Sequence, residues 1–167
     1  MFELKFLSQE GIPGALVKAE RYRLLNQPWE AECIYRDVLQ VDADNQEAVI
    51  GLVLALTDQF EQGSADIVPP AREALVGLRD AYQHAYYAGI ICERRARVLL
   101  LGARRGSDAM AHELLREAKS WYEQAETLRP PGNDDVLLRW NACARLLSRY
   151  PHAVTGIVEE FHPYSDA

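Results

Sequence analysis

The chain has 167 residues, of which 49% are hydrophobic and 26% are charged, and its formal net charge is −7. Its length and composition are typical of one folded globular domain. The negative charge argues against a nucleic-acid partner, because neutralising phosphates requires a basic surface. No apolar run approaches the roughly 18 residues of a membrane helix, and no secretory signal is recognisable. We therefore expect a cytoplasmic chain without a membrane partner.

The first predicted helices are defined by local turn signals. Residues 1–11 form an N-terminal extension, after which the spacing predicts a helix from about Pro13 to Leu25. Asn26 is expected to close that helix in the left-handed conformation, which asparagine tolerates better than most residues. Pro28 suits the first turn of the next helix, where its missing N–H has no cost.

The second and third helices carry most of the apolar residues of the first half. Residues at helical spacing predict the buried face of the second helix: Ala31, Ile34, Tyr35 and Val38. Asp44 is expected to cap the third helix, with Glu47 reaching back three residues later. That helix runs to about Gln59 and is apolar on nearly every side, which predicts packing on several sides.

The middle of the chain leaves one boundary open. Residues 62–70 form a loop by composition, and a helix starts at Pro70. Two continuations are compatible with the residues that follow. Either Asp80 and Gln83 begin a new helix, or the helix from Pro70 continues to about His84.

Two long helices and a final one are predicted after this boundary. The first begins at Ala81 or Ala85 and reaches Ala103, and the second is capped within residues 107–108 and ends at Leu128. About 20 helical residues span about 30 Å. Asn133 then caps a last helix, with Asp134 and Asp135 against its positive end. Pro151 ends this helix, whose expected buried residues are Val136, Leu137, Trp140 and Leu147.

Two stretches share one spacing rule. A small residue is followed four positions later by an aromatic residue, three positions after that by a small or medium apolar residue, and five positions after that by a break. The pattern occurs at Ala31, Tyr35, Val38 and Ala43, and again at Ala118, Tyr122, Ala125 and Pro130. This pattern resembles the tetratricopeptide repeat. The resemblance implies an all-α fold of antiparallel helix pairs, stacked as a short right-handed α-solenoid of about three pairs plus a C-terminal capping helix. It also implies one domain over residues 1–167, with repeats in 12–150, a tail in 151–167, and Gly51 or Val53 at a close helix crossing.

The long helices depart from the repeat. Both are extended by about seven residues, which is about two helical turns. The tip of their hairpin, residues 104–108, is therefore expected to project roughly 10 Å beyond the stack and to be exposed and mobile.

The resemblance implies a non-enzymatic adaptor or scaffold that binds a peptide or protein segment in a concave groove. Two alternatives remain open. One is a small bacterial secretion-type chaperone built from such repeats, and the other is a structural homo-oligomer, such as a homodimer, formed through the long central hairpin.

Catalytic and metal-binding motifs are lacking. No two of the four histidines, His84, His112, His152 and His162, lie four residues apart on a helix, so we expect surface or rim residues and no metal site. The cysteines, Cys33, Cys92 and Cys143, lie in apolar helical patterns and are expected to be free buried thiols. We therefore predict no catalytic residues and no cofactor. Trp29 and Trp121 are expected to be packing residues instead of residues that stack on a ligand.

Two basic helix faces provide the candidate partner site. Arg94 and Arg97 lie close to one face of the first long helix, with Arg104 near its end, and Asn141 and Arg145 lie four residues apart on the last helix. In the repeat family, the first helix of each pair lines the concave surface. If the two faces converge, Arg94, Arg97, Asn141 and Arg145 would bind an acidic or C-terminal carboxylate segment, because guanidinium forks match carboxylates.

The competing interpretation is a solvated charged surface, in which Glu93 pairs with Arg97 along the helix. The family's carboxylate clamp requires lysine and asparagine on the first helices of the early pairs. This chain has Leu16, Glu20, Ile50 and Leu54 at the corresponding positions. The clamp and its chaperone-tail ligand are therefore not expected here.

Overall fold

The described part of the chain folds into helices alone. The structure is a computed structural model that describes residues 2–62, 67–102 and 107–151. Its helices are α1 (Ile12–Leu24), α2 (Pro28–Val41), α3 (Gln46–Asp58), α4 (Val68–Ala74), α5 (Ala81–Leu101), α6 (Ser107–Leu128) and α7 (Asp135–Arg149). Helices that follow one another pack together, α5 on α6 most extensively. Within the described residues the all-α prediction is confirmed.

The turn from α1 to α2 follows its local chemistry. Asn26 has a φ of 58° and is the one non-glycine residue with positive φ in the described part of the chain. The N–H of Gln27 donates to the carbonyl of Tyr22 at 2.9 Å, which satisfies a free carbonyl at the end of α1. Pro28 occupies the first turn of α2. Both predictions for this turn are confirmed.

The predicted cap of α3 is wrong by one residue. Asn45, and not Asp44, precedes the helix, and its Oδ1 accepts the N–H of Ala48 at 2.9 Å. The Nδ2 of Asn45 also donates to Asp42 at 3.0 Å. An asparagine amide can accept and donate at once, which a carboxylate cannot do, so Asn45 holds both the helix start and the preceding turn.

A new helix begins at Ala81, which settles the open boundary. The Oδ1 of Asp80 accepts the N–H of Gln83 at 2.8 Å and caps α5. The preceding α4 has seven residues and ends in a 3₁₀ turn at Leu75–Gly77. Gln46 braces this break by donating to the carbonyl of Gly77 at 3.0 Å and accepting the N–H of Arg79 at 2.9 Å.

The long hairpin has the predicted lengths. Helices α5 and α6 have 21 and 22 residues, against 13 and 14 for α1 and α2. Helix α5 ends at Leu101 instead of Ala103, and α6 begins at Ser107 as expected. Residues 103–106, including Arg104, lie outside the described residues, so the prediction of a projecting mobile tip is not tested.

Two buried tyrosines each lie against a glycine. The ring of Tyr35 on α2 covers Gly51 on α3, and the ring of Tyr122 on α6 covers Gly89 on α5, so that a Cβ at either glycine would overlap the ring. Tyr35 meets the helix that follows its own, whereas Tyr122 meets the helix that precedes it. Ala31 is fully buried, as is its counterpart on α6. The expectation of a close approach at Gly51 is confirmed, while the two tyrosine contacts differ in chain order.

Several burial predictions need correction. Trp29 is 62% exposed and does not pack between helices, because it lies in the first turn of α2 on the outer side. Trp121, by contrast, packs as predicted: it is half-buried against buried apolar residues of the core, with the ring of His84 edge-on to it. His112 is buried, and its Nε2 contacts the carbonyl of Tyr150. The expectation of a surface position is therefore wrong for His112.

The predictions for the cysteines and for the last helix are mostly met. Cys92 and Cys143 are buried free thiols, and Cys33 is partly buried. The predicted cap of α7 is wrong by one residue, because the helix begins at Asp135 and its N-cap residue is Asp134, which makes no side-chain cap hydrogen bond. The Oδ1 of Asn133 accepts the N–H of Asp135 at 3.1 Å and so contributes to the preceding turn. Of its expected buried residues, Val136 is fully buried and Leu137, Trp140 and Leu147 are partly buried. His152 and His162 lie outside the described residues.

Candidate binding groove

Alternate helices line one depression of about 410 Å³. Its walls come mainly from α1, α3, α5 and α7, which are every second helix in chain order. The charged floor is formed by arginines and by two carboxylates that hold them, and Leu24 and Val98 add an apolar edge. We call this depression the groove.

Asp58 joins three helices at one end of the groove. Its Oδ2 accepts the Nε–H of Arg23 from α1 at 2.8 Å, and its Oδ1 accepts Nη1 of Arg94 from α5. Arg94 also donates to the hydroxyl of Thr57 at 2.6 Å. Planar guanidinium groups suit such multiple acceptors. We call Arg23, Asp58 and Arg94 the Asp58 triad.

Glu93 forms a second triad and is completely buried. Its Oε1 accepts Arg97 of α5 at 2.8 Å and Arg139 of α7 at 3.3 Å. Its Oε2 accepts the hydroxyl of Tyr122 at 2.7 Å. A buried carboxylate is tolerated only with such partners, because its desolvation is otherwise prohibitive. Glu93, Arg97 and Arg139 are the Glu93 triad, and the predicted pairing of Glu93 with Arg97 is confirmed.

The electrostatics of the Glu93 triad follow from burial and proximity. Burial raises the pKa of Tyr122, and the neighbouring charge of Glu93 raises it further. Burial is the largest single influence on Arg139 and lowers its pKa, but the charge of Glu93, together with the interactions with Tyr86 and Tyr122, more than offsets it, so that the pKa lies above its ordinary value. Tyr122 therefore stays a hydrogen-bond donor and Arg139 stays a cation across the physiological range.

The floor of the groove has more positive than negative charge. The two triads contain four arginines and two carboxylates, and each triad therefore has an excess of one positive charge. Glu20 and Glu61 also line the groove, but both are exposed. The positive charge is therefore fixed on the floor, while the balancing negative charge lies at the solvent-exposed rim.

The structure separates the four residues proposed from the sequence. Arg94 and Arg97 line the groove. Asn141 and Arg145 line a second depression together with other residues of α7 alone. The four residues are therefore not brought together in one pocket, because Arg139 is the residue by which α7 faces the groove.

Sequence reasoning did not identify Arg23, Asp58 or Arg139 as groove residues. A signal existed for Arg139, which lies three residues after Val136 and four before Cys143, both buried. An arginine on the buried stripe of a helix requires an acidic partner. Glu93 has the complementary position in α5, within a stripe of small buried residues. No comparable signal marks Arg23 or Asp58.

The described residues offer no metal centre and no activated thiol. They contain no group of three or more histidine, cysteine, aspartate or glutamate side chains that could hold a metal ion. Burial raises the pKa of Cys92 and that of Cys143 to about 12, so both thiols are protonated at neutral pH. A protonated, buried thiol is a poor nucleophile. No helix in the described ranges is long and apolar enough to cross a membrane.

Comparison with known proteins finds no family model, no curated protein and no solved structure that matches this chain. The resemblance to the tetratricopeptide repeat therefore stays a prediction from residue spacing. The groove is the observation on which a function can be proposed.

Proposed function

We propose that the chain is a non-enzymatic protein-interaction module of tetratricopeptide type, an adaptor or scaffold that binds an extended segment of a partner protein in the groove. The observation that carries the proposal is the convergence of alternate helices on one arginine-rich depression. In a stack of helix pairs, the first helices share one surface, and such stacks bind partners along an extended concave face. The sequence order of the packed helices is compatible with this arrangement.

The chemistry of the floor favours an anionic segment, such as a carboxylate or an acidic residue. Arg94 and Arg97 keep 25% and 46% of their side-chain surface exposed while they are held by Asp58 and Glu93. Arginines that are already fixed by a carboxylate lose little conformational freedom when a ligand binds, and this lowers the entropic cost of association. A charge-assisted hydrogen bond to such a group contributes about 1.5–3 kcal/mol.

A binding role also suits the carboxylates of the groove better than catalysis does. Glu93 has no solvent exposure, and its two oxygens already accept from Tyr122, Arg97 and Arg139. A general base needs an accessible oxygen within hydrogen-bond reach of a substrate proton. Asp58 keeps 23% of its side-chain surface exposed, but each of its two oxygens accepts from an arginine.

Affinity capture with matched surface variants tests the proposal. Leu24 lines the groove and is 82% exposed, so Leu24→Glu adds a negative charge there with little risk to folding. Val76 is equally exposed and lies outside the groove, which makes Val76→Glu the matched control. We expect a partner that the unmodified chain and Val76→Glu retain, and that Leu24→Glu loses. Equal retention by both variants would exclude the groove as the binding surface.

A further inference from the structure

The two triads provide charge for a compact dianion. Each triad has one arginine charge in excess of its carboxylate, which gives the floor two unbalanced positive charges. Arg94 and Arg97 belong to different triads but lie three residues apart on α5, so their Cβ atoms are about 5–6 Å apart. One ligand group in the groove can therefore contact both triads.

The donors that remain on these arginines match a tetrahedral anion. Within the described part of the chain, Arg94 makes its hydrogen bonds through Nη1, and Arg97 pairs through Nη2. The other guanidinium N–H groups of both residues have no hydrogen-bond acceptor among the described residues. One guanidinium fork satisfies the two oxygens of a carboxylate, whereas the three oxygens of a phosphoryl group accept from several donors at once.

The rim disfavours a run of acidic residues. Glu20 and Glu61 are exposed and line the same depression. An extended segment advances about 3.3 Å per residue, so successive carboxylates would pass from the positive floor to the negative rim. Like charges at that distance repel. A single doubly charged group on the floor gains the attraction and avoids this repulsion.

We infer that the groove binds a phosphoryl dianion on a side chain of the partner segment, in preference to a run of carboxylates. The inference rests on the proposed function and specifies its ligand. Phosphoserine carries about −1.5 to −2 charges at pH 7, which matches the excess on the floor. Leu24 and Val98, at the apolar edge of the groove, favour an apolar residue next to the phosphorylated one.

The test uses the full chain and defined probes. Blocked six-residue peptides, identical except for phosphoserine, glutamate or serine at the third position and with leucine after it, are titrated, as are a peptide of four glutamates and inorganic phosphate. The arginine Nε–H resonances are followed by NMR. We expect the phosphoserine peptide to shift the Nε–H resonances of Arg94 and Arg97 until they saturate. We also expect it to bind at least about tenfold more tightly than the glutamate peptide. The serine peptide is expected to cause no shift.

Two lysine variants separate this site from general charge attraction. Arg97→Lys keeps a cation next to Glu93 but loses the forked pair of guanidinium N–H donors. We expect it to weaken binding of the phosphoserine peptide about 5- to 20-fold. Arg145→Lys, in the separate depression on α7, is the control and should leave the affinity unchanged. Circular dichroism verifies that both variants fold, and Arg94→Lys replaces Arg97→Lys if the latter does not.

Three results would overturn the inference. They are the absence of a saturable shift with phosphoserine, equal affinity for phosphoserine and either glutamate-containing peptide, and equal weakening by both lysine variants. Inorganic phosphate binding as tightly as the phosphoserine peptide would overturn the assignment to a protein segment.

If Leu24→Glu abolishes capture of a partner but phosphoserine does not bind, this inference fails and the proposed function stands. Phosphoserine binding with equal capture by Leu24→Glu and Val76→Glu would instead overturn the proposed function.

Discussion

Gly89→Ala is expected to destabilise the chain strongly, although alanine is the better helix former. A Cβ at this position would overlap the ring of Tyr122, with Cδ1 and Cζ only 2.7 and 2.9 Å away. The ring cannot simply rotate aside, because Tyr122 is fully buried and its hydroxyl donates to Glu93. Either the ring or α5 must therefore move by about 1 Å to restore ordinary van der Waals separation.

The magnitude follows from three contributions. Overpacking costs about 1–3 kcal/mol, and weakening the buried hydrogen bond to Glu93 costs about 1–3 kcal/mol more. The removal of a helix-interior glycine offsets about 0.5–1 kcal/mol of this. The free energy of unfolding should therefore fall by about 1–5 kcal/mol, which in a chain of this size lowers Tm by about 2–20 °C.

Urea unfolding followed by circular dichroism measures this change, with Gly14→Ala as the control. Gly14 lies in α1, and a Cβ there would meet nothing within 4 Å. The control should therefore gain up to about 1 kcal/mol from the improved helix propensity. If Gly89→Ala is as stable as the unmodified chain, the close contact between Tyr122 and α5 is not present in solution.

Three further predictions concern the core. Ala31→Leu should lower the free energy of unfolding by about 1–3 kcal/mol by overpacking, whereas Ala109→Leu on the exposed face of α6 should change it little. Tyr122→Phe should cost about 1–3 kcal/mol, since it leaves a buried carboxylate oxygen without its donor; an unchanged urea midpoint would contradict that bond. Since the pKa of the Cys92 and Cys143 thiols is raised to about 12 by burial, their protonated form stabilises the fold fully below pH 9. That contribution should be lost as pH rises from about 9 to 12, and replacing both cysteines with alanine should remove this part of the pH dependence.

Helix ends could be predicted where one residue decides them. Asn26 and Pro28 met their expectations because the left-handed turn and the first helical turn depend on local backbone chemistry. The cap of α3 was misplaced because Asp44 and Asn45 are both good caps, and the choice depends on a hydrogen bond to Asp42. The exposure of Trp29 could not be read from its spacing, since periodicity does not define the width of a buried face.

The triads could not be predicted because their partners are distant in sequence. Asp58 is 35 residues from Arg23 and 36 from Arg94, and 46 residues separate Glu93 from Arg139. Helical periodicity indicates which face of one helix a residue occupies, but it does not give the crossing geometry that brings two helices together. The pair Glu93 and Arg97 was predictable because it lies within one helix.

The most direct test of partner binding in the groove is the affinity of a captured partner for two variants of equal charge change. Its dissociation constant is measured by calorimetry for the unmodified chain, Leu24→Glu and Val76→Glu, at about 50 and 200 mM salt, where screening differs strongly. The groove account predicts at least about tenfold weaker binding for Leu24→Glu, with a larger loss at low salt, and no change for Val76→Glu. Equal affinities for the two variants at both salt concentrations would contradict it.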